Sequence, residues 1–170
     1  MVENSLRFVP IEFPKDDNTL KDVVSNLQMN DAIEVELACV ENQTQYDCIH
    51  SVLQECEEKY FVVSHEDIIG IISYKSVLEN GYDIAILNVL TTNMVQKHPK
   101  DYYVAAKHFI ASVATDHDAL VCAILEGYDS CLKMAKKLGF QIVDERVTKG
   151  YKLLAHVLRT QRGKHGLDEQ

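Results

Sequence analysis

The chain has 170 residues, 46% of them hydrophobic and 25% charged, and a formal charge of −9 at neutral pH. Such a composition suits one globular domain with a buried core. The charge argues against a surface built to neutralise nucleic-acid phosphates, so duplex nucleic acid is not an expected partner. No apolar run approaches the roughly 20 residues of a membrane span, so no membrane partner is expected. Met1 to Pro10 carries no basic-then-apolar leader. The five cysteines, Cys39, Cys48, Cys56, Cys122 and Cys131, are odd in number and lack Cys-x-x-Cys spacing. Reduced thiols and a cytoplasmic location follow as expectations.

Arg7 to Phe13 reads as a first strand, with Pro10 marking an edge or a bend. Asp17 and Asn18 can cap a helix over Thr19 to Gln28, whose Leu20, Val23, Val24 and Leu27 form one apolar stripe. A second helix is predicted from Tyr46 to about Glu58, with Ile49, Val52, Leu53 and Cys56 on its buried face. The pattern then turns β-branched and aromatic. Tyr60 to Ser64 and Ile68 to Lys75 predict an antiparallel hairpin across His65-Glu66-Asp67, with Gly70 a bulge or a close backbone approach. Asn80-Gly81 is a strong turn signal before a strand over Tyr82 to Leu90.

A polar loop, Thr91 to Pro99, leads into a helix from about Lys100 to Ala114. Ala119 to Leu125 suits a buried strand, and Ser130 to Leu138 a helix stopped by Gly139. Gln141 to Val147 and Tyr151 to Leu158 pair across Thr148-Lys149-Gly150. Residues 1–158 thus make one domain, and 159–170 a polar, flexible tail. The order β-α-α-β-β-β-α-β-α-β-β predicts an α/β (α+β) fold: a mixed, mostly antiparallel sheet with helices on both faces. Ile69, Ile71, Leu87, Ile110, Val121, Ile124, Leu132 and Phe140 are its predicted core.

That order, the apolar run around a glycine in Ile68-Ile69-Gly70-Ile71-Ile72-Ser73, and the stop Ala135-Lys136-Lys137-Leu138-Gly139-Phe140 resemble the GCN5-related N-acetyltransferases. The likeness covers Leu6 to Leu158. Asp31, Glu34, Leu90-Thr91-Thr92-Asn93 and His98 are further similar to acetyltransferase-like proteins encoded beside the internal virion proteins of short-tailed bacteriophages. The resemblance implies acetyl-coenzyme A as cofactor. Its pantetheine would lie near Val89 and Leu90, where the fourth and fifth strands splay. Its pyrophosphate would lie on Gln96, Lys97, His98 and Lys100.

The chain departs from the family at these places. The stretch Gln96-Lys97-His98-Pro99-Lys100-Asp101 has no glycine, and Pro99 deletes a backbone N–H. Asp101 favours the helix dipole but repels phosphate. Lys97 and Lys100 offer compensating charge, although solvated lysines beside a helix start are the plainer reading. The family's proton-donating tyrosine, four residues before the stop glycine, is Ala135 here. Its asparagine seven residues earlier is Tyr128, a displaced general-acid candidate whose plainer reading is an exposed loop residue.

Asp116-His117-Asp118 is set aside as a metal site because adjacent side chains diverge, and no metal set is predicted. His50 and His108 read as packed or surface histidines, and Cys48 and Cys122 as buried thiols. The expectation favoured by these departures is a phage virion-associated or morphogenesis protein with phage structural proteins as partners, present in the host cytoplasm and carried in the virion. An active N-acetyltransferase and an inhibitor of a host protein are the alternatives.

Overall fold

The computed structural model describes residues 5–168. Seven strands form one sheet in the order β1-β2-β3-β4-β5-β7-β6. The strands are β1 (Leu6–Pro10), β2 (Glu58–Ser64), β3 (Asp67–Glu79), β4 (Tyr82–Thr91), β5 (Ala119–Leu125), β6 (Gln141–Thr148) and β7 (Tyr151–Arg159). The helices among the described residues are α1 (Asp17–Ser25), α2 (Met29–Ala38), α3 (Gln45–Gln54), α4 (Pro99–Ala114), α5 (Asp129–Lys137) and α6 (Gln161–Asp168). The sheet is mostly antiparallel, and the expected α/β fold class is the observed one.

Contacts divide the chain into two compact units. The first comprises residues up to Tyr74 with Asn88–Ala106, and the second Lys75–Leu87 with residues from Lys107 on.

In the first unit, β1 pairs antiparallel with β2 from Leu6–Ser64 to Pro10–Tyr60. β1 is the edge strand of the sheet, where Pro10 costs no ladder bond. The predicted β2–β3 hairpin is present, closed by a turn at His65-Glu66. Its register shifts where Val62 pairs with Gly70 and Val63 with Ile68, leaving Ile69 as an extra residue. Gly70 is both bulge and close approach. A Cβ there would lie 2.5 Å from the Leu90 carbonyl oxygen and 2.6 Å from the Tyr102 ring.

The core of this unit joins Leu20, Val23 and Val24 of α1, Val35 of α2, Ile49 and Leu53 of α3, and Phe61, Val63 and Ile71 of the sheet. The α1 stripe is buried as predicted. Helix α1 begins one or two residues earlier than expected, after Asp16, whose carboxylate accepts the Glu12 N–H at 2.8 Å. Helix α2 has no counterpart in the expected elements. Thr44 caps α3 by accepting the Asp47 N–H at 3.0 Å. On α3, Val52 is exposed rather than buried.

In the second unit, Asn80 and Gly81 have φ of 52° and 83°, the paired left-handed conformation that an Asn-Gly hairpin turn requires. β4 pairs parallel with β5 from Ile84–Ala119 to Ile86–Val121. β5 pairs antiparallel with β7, and β7 with β6. Helix α5 ends in a Schellman stop: Gly139 has φ 99°, its N–H reaches the Lys136 carbonyl, and the Phe140 N–H reaches the Ala135 carbonyl at 3.0 Å. Phe140 is thereby turned inward and buried, as are Leu87, Ile110 and Ile124. Val121 and Leu132, predicted as core, are only half-buried.

The segment expected as a polar tail carries α6. Thr160 is buried and accepts the Gly163 N–H, while Arg162 bonds Asp83, Asp118 and the Asp116 carbonyl. No described helix is long and apolar enough to cross a membrane.

Candidate functional site

The candidate site is the region where β4 gives way to α4, and it lies in the first unit. The loop expected over Thr91 to Pro99 contains a 3-10 turn, Asn93–Lys97. Thr92 fixes its start. Its hydroxyl donates to the Ile68 carbonyl at 2.7 Å and accepts the Met94 N–H at 3.2 Å, and its own N–H reaches the Ile69 carbonyl. The β4 end is held from the other direction by Asp31 of α2, a buried carboxylate that accepts both the hydroxyl and the N–H of Thr91. Gln28 adds a backbone bond to the Thr91 carbonyl and a side-chain bond to its hydroxyl, each at 3.0 Å. These are positioning contacts. They explain why Asp31 and Thr91-Thr92 go together.

Val89 and Leu90 sit half-buried on β4, and the Tyr102 hydroxyl of α4 lies 3.5 Å from the Leu90 carbonyl oxygen. Gln96, Lys97 and Lys100 are exposed. Of the backbone donors that a pyrophosphate cradle would use, the His98 N–H goes to the Val95 carbonyl at 2.9 Å and the Asp101 N–H to the His98 carbonyl at 3.2 Å. Pro99 contributes none. The side chains there are also engaged. His98 Nε2 lies 2.9 Å from Asp67 Oδ2, and Ser64 Oγ donates to Asp101 Oδ2. Two carboxylates therefore face the start of α4, where a diphosphate would need cationic or N–H partners. The α4 start thus differs from an open N–H cradle at Pro99, at the bonded His98 and Asp101 N–H groups and at the two carboxylates.

Tyr128, the general-acid candidate, belongs to the second unit and directly precedes α5. It is buried, with its N–H on the Leu125 carbonyl at 3.1 Å, not an exposed loop residue. Ala135 is likewise buried. A shallow cleft in this unit is lined by Leu132, Lys133, Lys136, Phe140, Ile142 and His156, and the His156 Nδ1–H is spent on the Leu154 carbonyl.

Asp116-His117-Asp118 is structural. His117 is buried, with Nδ1 2.8 Å from the Val113 carbonyl and Nε2 2.7 Å from Ser76 Oγ. His50 packs against Phe13 with ring centroids 4.2 Å apart and the planes tilted by 44°. Cys48 is buried and Cys122 half-buried. Burial pushes the Cys56 thiol up from its ordinary range, which favours the protonated form.

Sequence reasoning missed the way His65, Asp67, His98 and Asp101 converge. The β2–β3 turn and the start of α4 meet there, with the His65 and His98 rings 5.3 Å apart. The signal available was His65-Glu66-Asp67 itself, which reads only as a turn.

This topology has close structural counterparts. RimL, a ribosomal-protein alpha-N-acetyltransferase solved with coenzyme A, superimposes with a TM-score of 0.68 at 11% identity, over 95% of this chain and 98% of that one. A spermidine N-acetyltransferase from Vibrio cholerae, solved with coenzyme A and spermine, gives 0.68 at 9% identity over 94% and 98%. The fold is that of the GCN5-related N-acetyltransferases. The microcin self-immunity acetyltransferase MccE, solved with acetyl-coenzyme A and AMP, matches at 0.65 and 11% identity over 92% and 93%. No family model and no curated protein matches the sequence. At these identities the likeness is one of fold, and the site must carry any argument about activity.

Proposed function

We propose that this protein keeps the acetyltransferase fold as a scaffold for protein contacts and has lost efficient acetyl transfer. Its role would be the one its resemblance to short-tailed phage proteins implies: a virion-associated or morphogenesis protein, made in the host cytoplasm and engaging phage structural proteins. The observation that carries this reading is the state of the α4 start. Two backbone N–H groups there are internally bonded, a third is missing at Pro99, and Asp67 and Asp101 present negative charge. A diphosphate would have to break those bonds and approach two carboxylates, with only the exposed Lys97 and Lys100 in compensation.

The reading is tested by thiol-release assays with acetyl-coenzyme A on a panel of amines and protein amino groups, beside affinity capture from infected cells. Absence of turnover together with recovery of phage structural proteins supports it. Recovery of a single host enzyme would favour the host-inhibitor reading. Robust turnover would overturn it in favour of an acyl-coenzyme A-dependent N-acyltransferase. That second reading is supported by the coenzyme A-bound neighbours. It would assign the cofactor to Val89, Leu90, Gln96, Lys97, His98 and Lys100, with Tyr128 as its proton donor.

A further inference from the structure

His65, His98 and Asp101 each bring one potential ligand atom into a group whose members all lie within 4.8 Å of one another. The three come from two segments separated in sequence: the tight turn between β2 and β3, and the start of α4. We propose that these side chains form a binding site for a divalent transition-metal ion of the zinc class. The inference does not require acetyl transfer, although His98 and Asp101 lie at the same α4 start as the coenzyme A question.

The donor set selects the ion. Two imidazoles and one carboxylate suit zinc, cobalt or nickel, whereas magnesium and calcium prefer all-oxygen shells. Three protein ligands leave a fourth tetrahedral position for water or a ligand oxygen, the open arrangement of catalytic rather than purely structural zinc sites.

The surrounding hydrogen bonds are those that a metal site uses to aim its ligands. Asp67 Oδ2 lies 2.9 Å from His98 Nε2. A carboxylate only accepts, so Nε2 carries a proton, and the tautomer this selects offers its lone pair on Nδ1 to a metal ion. Ser64 donates to Oδ2 of Asp101, which fixes that carboxylate while its other oxygen retains full acceptor capacity. On His65, Nε2 lies 3.3 Å from Ser5 Oγ. When Nε2–H donates to that hydroxyl, Nδ1 of this ring also offers its lone pair.

Charge and backbone agree. Asp67 and Asp101 supply two negative charges to balance a dication, and both also offset the positive end of the α4 dipole. His65 has φ 55°, a left-handed conformation that few non-glycine residues adopt. Ligand atoms about 2.0–2.2 Å from a tetrahedral ion sit roughly 3.3–3.6 Å apart. Loading therefore draws the three inward, and His65, exposed on its turn, is the member able to move.

The test is titration of the chelator-treated full chain with cobalt(II), followed by absorption spectroscopy and then by zinc competition. The expected result is one equivalent bound, with the visible bands of a nitrogen–oxygen site and no sulfur-to-cobalt charge-transfer band. His98→Ala, His65→Ala and Asp101→Asn should each weaken binding at least about 10-fold, and Asp67→Asn by about 10–100-fold through loss of ligand orientation. His108→Ala, an exposed histidine elsewhere on α4, should bind like the unaltered chain. Circular dichroism identifies any variant that fails to fold. His65→Ala lies on an exposed turn, so it keeps the test decisive if His98→Ala is lost. Cysteine charge-transfer bands, affinity unchanged in His65→Ala, or no binding at millimolar cobalt would overturn the proposal.

Discussion

Two clusters of histidine and aspartate among the described residues, one around His117 in the second unit and one around His98 in the first, are organised in opposite ways. In the second unit, His117 is buried with both ring nitrogens bonded, to the Val113 carbonyl and to Ser76. Its neighbour Asp118 accepts the Asp83 N–H at 2.8 Å and pairs with Arg162 at 3.3 Å. That cluster is closed: its polar groups serve one another and hold α6 in place. In the first unit, His65, His98 and Asp101 are more open to solvent, and the bonds made by His98 and Asp101 orient them without exhausting their acceptors. The comparison teaches that residue type does not separate scaffold from site. What separates them is how many lone pairs and donors the fold has already committed.

The comparison can be broken by mutation, with urea unfolding as the common measurement. The largest expected effect is in the packing of the second unit. Phe140→Ala, behind the Gly139 stop, should cost about 3–5 kcal/mol, and a cost below about 1 kcal/mol would mean that the packing account of this unit is wrong. His117→Ala comes next, at about 1–3 kcal/mol, because it empties a buried site and removes the ring bonds to Ser76 and to the Val113 carbonyl. His98→Ala should cost no more than about 1 kcal/mol, since its partner Asp67 is about a third exposed. Were His98→Ala as costly as His117→Ala, the first cluster would be as structural as the second. The smallest effect concerns nucleic acid. With a charge of −9, duplex DNA should bind weakly at physiological salt in fluorescence anisotropy. Sub-micromolar affinity with a steep salt slope would point to a basic surface that the net charge conceals.

Much of the fold was legible because local chemistry agreed with it. Asn80-Gly81 named its own turn, Ala119–Leu125 was readable to the residue as a strand although only Leu120, Ile124 and Leu125 of it are buried, and Gly139-Phe140 stopped α5 as expected. Where local signals were thin, the sequence misled. Helix α2 buries Asp31 beside Val35 and Leu37, so its inward face is not a clean apolar stripe. Helix α6 has no apolar stripe and is held by Arg162 and Thr160, contacts that no periodicity reveals. Val52, Val121 and Leu132 are apolar residues on the margins of their faces, where pattern alone cannot set burial.

The candidate site divides the same way. The loss of N–H donors at Pro99 and the charge of Asp101 were readable. The meeting of His65 and Asp67 with His98 and Asp101 was not, because the β3–β4 hairpin that brings them together separates them by more than 30 residues. Adjacent Asp116-His117-Asp118 read as a polar turn, and its His117 is bonded at both ring nitrogens.

The central claim, that the fold persists without a working coenzyme A cradle, is tested most directly by calorimetric titration of the chelator-treated, folded protein with acetyl-coenzyme A. The account predicts no saturable heat at micromolar cofactor. Micromolar binding that disappears in the Lys97→Ala/Lys100→Ala double variant would contradict it, and would show that two point charges had replaced the missing backbone donors.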